Sequence, residues 1–259
     1  MSRRTVTAPR RGLAASAAAW RSAPARGDGV AGRTPKVWLF DLDNTLHNAG
    51  ASAFRHFDTT MNRYIVEHLG VEEAEADRLR RDYWRRYGST LLGLVRHHGV
   101  RPAHFVRHTH EFPGLEATLV AHAHDLAALR RLPGRKVVLT NAGRDYALRV
   151  LRALGLDGLF DQVIGIEQMT LFGQLRPKPD GRMFRALAAR LGVHPSRCVL
   201  VEDTLLHQKA ARAQGLRTVW MQRWLKRHAH GPEVGVYLHR RPAYVCARIS
   251  TLQQLRRLP

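Results

Sequence analysis

The sequence VWLFDLDNTL at residues 37–46 places four apolar residues directly before two aspartates that are two positions apart. A short apolar run that ends in polar turn residues is typical of a strand buried on both faces. Because residues i and i+2 of an extended chain point the same way, Asp41 and Asp43 are expected to project together from the carboxyl end of this strand. In open α/β sheets, ligands bind at that end.

Two neighbouring carboxylates repel each other, and a hard cation such as Mg²⁺, which prefers oxygen ligands, would relieve the repulsion. Taken alone, the pair also fits a simpler reading in which Asp43 only caps the helix that follows. The rest of the chain decides between these alternatives.

The region after residue 120 alternates short apolar runs with amphipathic segments. Alternation of this kind predicts a doubly wound α/β fold with a parallel sheet. Helices are expected in the intervening segments, including one that Asp180 caps, and a last one near 251–258. After the first strand, the predicted strands lie near residues 136–141, 163–166, 198–201, 218–220 and 244–246.

The segment between the first strand and this alternation is predicted to be helical throughout. Large apolar residues recur at helical spacing in 53–69, and further helices are expected over 71–86, 90–98 and 102–111. A helical block in this position predicts a small cap inserted into the core.

The domain organisation follows from these patterns. Residues 1–35 are rich in Arg and Ala without sustained periodicity, which favours a disordered extension. We expect residues 36–49 and 118–259 to form the core and residues 50–117 to form the cap.

Composition narrows the class of protein. No apolar run approaches the ~20 residues that a membrane span requires, and two cysteines favour a reducing, cytoplasmic location over a disulfide framework. More than half of the net charge of +21 lies in residues 1–35 and 221–259. The basic remainder would attract anionic substrates such as phosphate esters. Nothing in the composition defines the oligomeric state.

Three more polar features join the two aspartates. Thr140 and Asn141 end the second predicted strand, Glu202 and Asp203 end the fourth, and Lys178 stands between two prolines that restrict the backbone. Each feature alone is also explained by a turn, a helix cap or a solvated lysine. Their occurrence together, in this order on this topology, favours a site at one edge of the sheet.

These four motifs resemble those of the haloacid dehalogenase-like (HAD) superfamily of phosphohydrolases, over about residues 36–220. The resemblance implies that Asp41 is the nucleophile and Asp43 the general acid/base. It also implies that Thr140, Asn141 and Lys178 form the phosphate-binding group.

The metal site is likewise implied by the resemblance. Mg²⁺ would be held by Asp41, the backbone carbonyl of Asp43 and Asp203, with Glu202 nearby. Family members commonly have Asp or Asn where this chain has His207, one helical turn after Asp203, and this difference predicts weaker metal affinity.

The cap sequence YWRRYGSTLLGL at residues 83–94 is similar to the cap of pyrimidine 5′-nucleotidase-like members of the superfamily. This similarity implies a nucleoside monophosphate such as UMP or CMP as the substrate, with Arg86 and Tyr87 as contacts. The aromatic residues are equally explained by packing at helical spacing. A sugar phosphate or phosphoglycolate remains an alternative substrate.

Two other readings are disfavoured. A non-catalytic, basic nucleic-acid-binding protein would not need Asp41, Asp43, Lys178 and Asp203, and aromatic residues make up only 7% of the chain. A zinc site at the pairs His108/His110 and His122/His124 is disfavoured because side chains at i and i+2 of a helix do not face each other and no cysteine joins them.

Overall fold

The computed structural model describes residues 36–50, 53–225 and 241–258. The strands are β1 (Val37–Phe40), β2 (Arg135–Leu139), β3 (Gln162–Ile164), β4 (Thr170–Leu171), β5 (Gln174–Leu175), β6 (Cys198–Glu202), β7 (Arg217–Met221) and β8 (Ala247–Ile249). Six of them form a sheet with the order β3-β2-β1-β6-β7-β8, in which all pairings are parallel. The strands β4 and β5 form a small antiparallel hairpin.

Helices connect the sheet strands and form the insertion after β1. The helices are α1 (Ala53–Leu69), α2 (Glu73–Tyr87), α3 (Thr90–His98), α4 (Pro102–Thr109), α5 (Leu115–Thr118), α6 (Ala123–Arg131), α7 (Arg144–Ala153), α8 (Gly181–Arg190) and α9 (Leu205–Ala213). Within the described ranges, none of them is long and apolar enough to cross a membrane.

The sheet is covered on both faces, as its uninterrupted apolar strands require. Residues of β1 alternate between two apolar clusters: Leu39 packs in the cluster that contains Phe184 of α8, and Phe40 packs in the cluster that contains Val150 of α7. The prediction of a doubly wound parallel sheet with helices is therefore confirmed.

The inserted helices have an apolar core of their own. Ile65 of α1, Leu94 of α3 and Phe105 of α4 pack together in a third cluster. Phe57 of α1 and Leu115 of α5 pack instead with the sheet. The predicted boundaries of the cap, at residues 50 and 117, are not decided by these contacts and stay a prediction. The predicted disorder of residues 1–35 lies outside the described residues.

The chain after β7 differs from the sequence prediction. The last strand is Ala247–Ile249 rather than 244–246, because the backbone N–H of Val245 donates to Pro242 O at 3.0 Å and closes a turn there. The helix expected near 251–258 is a 3₁₀ helix over Leu252–Arg257. The β4–β5 hairpin was also missed, because two-residue strands are too short to show a period.

Candidate active site

The strand register brings three strand ends to one edge of the sheet. Phe40, the last residue of β1, lies opposite Val138 of β2 and Val201 of β6. The backbone N–H of Asp41 donates to Val201 O at 3.0 Å, so the ladder extends one residue beyond β1. Asp41 therefore lies level with Glu202 at the end of β6.

A buried lysine joins the two acidic strand ends. Lys178 Nζ donates to Asp41 Oδ1 and to Glu202 Oε2, each at 2.7 Å, and its side chain is fully buried. Burial opposes a charged ammonium, but the two carboxylates outweigh it and raise the pKa of Lys178 above its usual value. Lys178 is thus a fixed positive charge in contact with Asp41.

The side-chain amide of Asn141 holds the backbone of Lys178. Asn141 Nδ2 donates to Lys178 O at 2.8 Å, and Lys178 N donates to Asn141 Oδ1 at 3.1 Å. Both ends of the amide are used in this way. The structure therefore places the Asn141 side chain as a support for Lys178, a role that the sequence did not indicate.

Three carboxylates converge beside Lys178. Asp41, Glu202 and Asp203 each place a carboxylate oxygen within 4.8 Å of the others. Burial, followed by repulsion from Glu202, raises the pKa of Asp41 to about 7 and also raises the pKa of Asp203. Glu202 is an exception, because Lys178 and His207 overcome the effect of burial and lower its pKa. One ammonium does not balance three acidic groups, and their all-oxygen donor set fits a divalent cation such as Mg²⁺.

Asp43 points to a different set of partners. Tyr146 Oη donates to Asp43 Oδ1 at 2.9 Å, and His47 Nε2 lies 3.0 Å from the same oxygen. Burial and the neighbouring Asp43 raise the pKa of Tyr146, so its hydroxyl keeps its proton. Sequence reasoning missed both partners. The spacing of His47, four residues after Asp43, was an available signal, whereas the position of Tyr146 on α7 was not.

Two threonine hydroxyls also lie at this edge of the sheet. Thr45 Oγ1 donates to Asp41 Oδ2 at 3.2 Å, which fixes the carboxylate between a hydroxyl and the Lys178 ammonium. Thr140 Oγ1 accepts a hydrogen bond from Ala142 N at 3.0 Å, and its own proton remains to donate. A threonine hydroxyl in this state can bind an anion.

His207 lies against Glu202. Its Nδ1 is 3.1 Å from Glu202 Oε2, without hydrogen-bond alignment. Burial lowers the pKa of His207 although the nearby Glu202 opposes this effect, so the imidazole is neutral at neutral pH. A neutral ring places no positive charge beside a cation bound to these carboxylates. The weaker metal affinity predicted from His207 stays a prediction.

The end of α2 approaches the Lys178 segment. Gly88 has φ of +72°, and a Cβ at this position would lie 2.7 Å from Cδ of Pro179, so only glycine fits without a shift. The preceding Tyr87 donates to or accepts from His97 Nε2 at 2.6 Å, and the Arg86 guanidinium lies 5.4 Å from the Tyr87 ring centre. The contacts predicted for Arg86 and Tyr87 with substrate stay a prediction.

A doubly wound sheet with clustered acidic strand ends, a buried lysine and a helical insertion after the first strand is typical of hydrolases with a Rossmann-like core. Within that class, the chain matches the haloacid dehalogenase-like hydrolase family over residues 35–215 and belongs to it. The hydrolase class expected from the sequence is confirmed.

Solved structures show the same fold at low sequence identity. A HAD phosphatase from Thermococcus onnurineus aligns with a TM-score of 0.54 and 22% identity over 86% of this chain and 96% of its own. CbbY from Rhodobacter sphaeroides, solved with phosphate, aligns with a TM-score of 0.56 and 21% identity over 86% of this chain and 96% of its own. YfnB from Bacillus subtilis, a HAD hydrolase bound to magnesium, aligns with a TM-score of 0.51 and 19% identity over 87% of this chain and 98% of its own.

Curated relatives match over parts of their length. Phosphate metabolism protein 8 of Saccharomyces cerevisiae is 22% identical over 70% of this chain and 60% of its own. The fructose-1-phosphate phosphatase YqaB of Escherichia coli is 34% identical over 33% of this chain and 44% of its own. The chain thus spans less than two thirds of the length of either relative.

Proposed function

We propose that the protein is a phosphomonoesterase that hydrolyses a small phosphorylated metabolite through a phosphorylated Asp41. The observation that carries this proposal is the 2.7 Å contact of Lys178 with Asp41 inside a cluster of three carboxylates. A nucleophilic carboxylate beside a fixed cation suits attack on an anionic phosphorus centre.

The chain's own residues account for the first half of the reaction. A carboxylate oxygen of Asp41 attacks phosphorus, and the bond from phosphorus to the ester oxygen breaks. Lys178 and the Thr140 hydroxyl offset negative charge on the transferred group. Thr45 orients the second oxygen of Asp41. The departing alkoxide takes a proton from Asp43.

The second half reverses the role of Asp43. A water molecule gives its proton to Asp43 and attacks the phosphorus of the phosphorylated Asp41, which releases inorganic phosphate and restores the carboxylate. Tyr146 and His47 hold Oδ1 of Asp43 and so orient the carboxyl group that takes part in both steps. We therefore assign these two residues the role of positioning the general acid/base.

Mg²⁺ would be held by Asp41, Asp203 and the backbone carbonyl of Asp43, with Glu202 and His207 next to this set. When bound, the ion supplies positive charge that favours ionised Asp41 and compensates the phosphoryl oxygens. Because the pKa of Asp41 is about 7 in the protein alone, a nearby cation would help to keep this carboxylate ionised at neutral pH. Asn141 serves the phosphate site through its hold on Lys178.

For the substrate we propose a pyrimidine nucleoside 5′-monophosphate, with Arg86 and Tyr87 of the cap as contacts. The close approach of Gly88 to Pro179 supports the two contacts, because it places the end of α2 beside the Lys178 segment. The similarity of residues 83–94 to nucleotidase caps is what favours the pyrimidine nucleotide. A sugar phosphate is the second candidate, supported by the similarity to the Escherichia coli fructose-1-phosphate phosphatase. The two free cysteines are compatible with a proposed cytoplasmic location.

A substrate screen tests the proposal. Phosphate release is measured from nucleoside monophosphates, sugar phosphates and phosphoglycolate, with Mg²⁺ and with a chelator. We expect Mg²⁺-dependent release with UMP or CMP among the best substrates. Asp41→Asn, which is nearly isosteric, should lose turnover by about 10⁴-fold or more while keeping the fold. Near-wild-type activity of Asp41→Asn would reject the assigned nucleophile.

The screen also separates the rival readings. Preference for a sugar phosphate would keep the mechanism and replace the proposed substrate. No release from any phosphate ester, combined with salt-sensitive binding of nucleic acid, would favour a non-catalytic binding protein instead.

A further inference from the structure

Three histidines converge between α1 and α4, where two of them are exposed and one is half-buried. His68 lies near the end of α1, and His104 and His108 lie one turn apart on α4. One ring nitrogen from each lies within 4.8 Å of the others. The ring centres are 4.1 Å apart for His104–His108, 5.0 Å for His68–His104 and 5.6 Å for His68–His108.

The hydrogen bonds of the rings define which nitrogens are available. His68 Nδ1 lies 3.0 Å from Tyr64 O, and His108 Nδ1 lies 2.8 Å from His104 O. A carbonyl oxygen only accepts, so both rings carry their proton on Nδ1 and leave the lone pair of Nε2 free. His104 Nδ1 lies 2.9 Å from Tyr64 Oη, which can accept in the same way.

This arrangement is the one that metal-binding imidazoles use. A histidine that coordinates a metal commonly donates its other N–H to a carbonyl or another oxygen, which fixes the tautomer and the ring orientation. Here all three rings have such a partner. We propose that His68, His104 and His108 form a transition-metal site, with Zn²⁺ as the representative ion and Nε2 as the ligand atom of each ring.

The ligand chemistry separates this site from the acidic edge. Three neutral nitrogens suit Zn²⁺, Cu²⁺ or Ni²⁺, whereas Mg²⁺ and Ca²⁺ require oxygen ligands. The bound ion would have a fourth position for water, because the protein supplies three ligands.

The site joins two elements that are distant in sequence. His68 and His104 belong to α1 and α4, whose buried faces already pack through Ile65 and Phe105. A metal bound to both helices would act as a crosslink at the surface of the inserted helices. The histidine pairs considered from the sequence do not form this site, since His110 is buried against Phe57 and Tyr146 instead.

Calorimetric titration with Zn²⁺ tests the proposal on the full, untagged and metal-stripped chain. Saturating Mg²⁺ is present so that the carboxylates at the sheet edge are occupied. We expect one Zn²⁺ per chain and a higher melting temperature of the wild type. His68→Gln, His104→Gln and His108→Gln should each lose both effects, whereas the exposed His124→Gln should keep them.

A second variant separates ligation from simple loss of a histidine. Tyr64→Phe keeps the buried ring but removes the partner of His104 Nδ1, and should weaken Zn²⁺ binding about 10- to 100-fold. The Cu²⁺-loaded protein should show nitrogen couplings in its electron paramagnetic resonance spectrum, and these should diminish in His108→Gln.

Three results would overturn the proposal. They are equal Zn²⁺ binding by the wild type and the three histidine variants, no binding at micromolar Zn²⁺, and oxygen-only coordination in the Cu²⁺ spectrum. Phosphatase activity is not used as the readout, so failure of the metal site leaves the proposed function standing, and the reverse also holds.

Discussion

The acidic edge of the sheet and the α2 surface carry the same types of charged residue in very different surroundings. Lys178 is fully buried between Asp41 and Glu202. On α2, Arg81 Nη1 lies 2.7 Å from Asp77 Oδ2, but 59% of the Arg81 side chain is exposed. The distances are equal, so burial is what distinguishes the two regions.

Burial determines how strongly an ion pair affects stability and the pKa of neighbouring groups. Water screens the α2 pairs, and side-chain freedom is lost in forming them, so their net contribution is small. At the sheet edge Lys178, Asp41 and Glu202 are buried, and removal of one partner leaves a buried charge uncompensated. Burial, followed by repulsion from Glu202, therefore raises the pKa of Asp41 to about 7, which no exposed pair on α2 could do.

The largest effect is expected from Lys178→Met. This change leaves Asp41 and Glu202 without their ammonium partner and should destabilise the fold by about 3–5 kcal/mol, with loss of activity. Urea unfolding measures the first effect and phosphate release the second. Lys209→Met, on the exposed side of α9, is the control and should behave like the wild type.

Adding Glu202→Gln to Lys178→Met should recover part of the lost stability, because it removes one unpaired carboxylate. If Lys178→Met were as stable as the wild type, the contrast between buried and exposed pairs would fail.

The next effect concerns His110, which burial holds at a pKa of about 4. Its unfolded-state pKa is near 6.5, so between these values the unfolded chain binds more protons than the folded one. The stability contributed by neutral His110 is present above pH 6.5 and is lost as pH falls toward 4, by up to about 3 kcal/mol.

The measurement is urea unfolding of the wild type and His110→Asn at several pH values between 4 and 7. The variant should show a flatter dependence, and the exposed His98→Gln should keep the wild-type slope. Parallel curves for the wild type and His110→Asn would show that this histidine is not the group that titrates.

A smaller effect is expected at His207. Burial lowers the pKa of His207 below its ordinary value of about 6.5. Only below that pH should the Mg²⁺ concentration for half-maximal rate rise more in the wild type than in His207→Asn. Protonation of Asp41 should also raise this Mg²⁺ concentration, but equally in the wild type and in His207→Asn. Mg²⁺ titrations of the initial rate for the wild type and His207→Asn isolate the difference. Superimposable curves at every pH would place His207 outside the influence of the ion.

The smallest effect is expected on α2. Arg81→Gln removes an exposed partner of Asp77 and should leave the melting temperature within the error of the measurement. A loss comparable to that of Lys178→Met would mean that the exposed network is coupled to the buried core, and the comparison would need revision.

Much of this protein follows from patterns that are local in sequence. The apolar run before Asp41 predicted β1, and helical spacing predicted the bounds of α1 and α3. Parallel strands carry their carboxyl ends to one edge, so the convergence of Asp41, Thr140 and Glu202 followed from topology. These inferences succeeded because the periods of strands and helices are properties of neighbouring residues.

Other features were decided only when distant segments packed. Asn141 holds the Lys178 backbone, Tyr146 donates to Asp43 across 103 positions, and His68 meets the histidines of α4. Local spacing carries no information on such contacts, because they depend on which helix faces lie together in the core. The sequence alone determined which chemical groups reach the edge of the sheet, and the tertiary structure determined how each group is oriented, paired and charged.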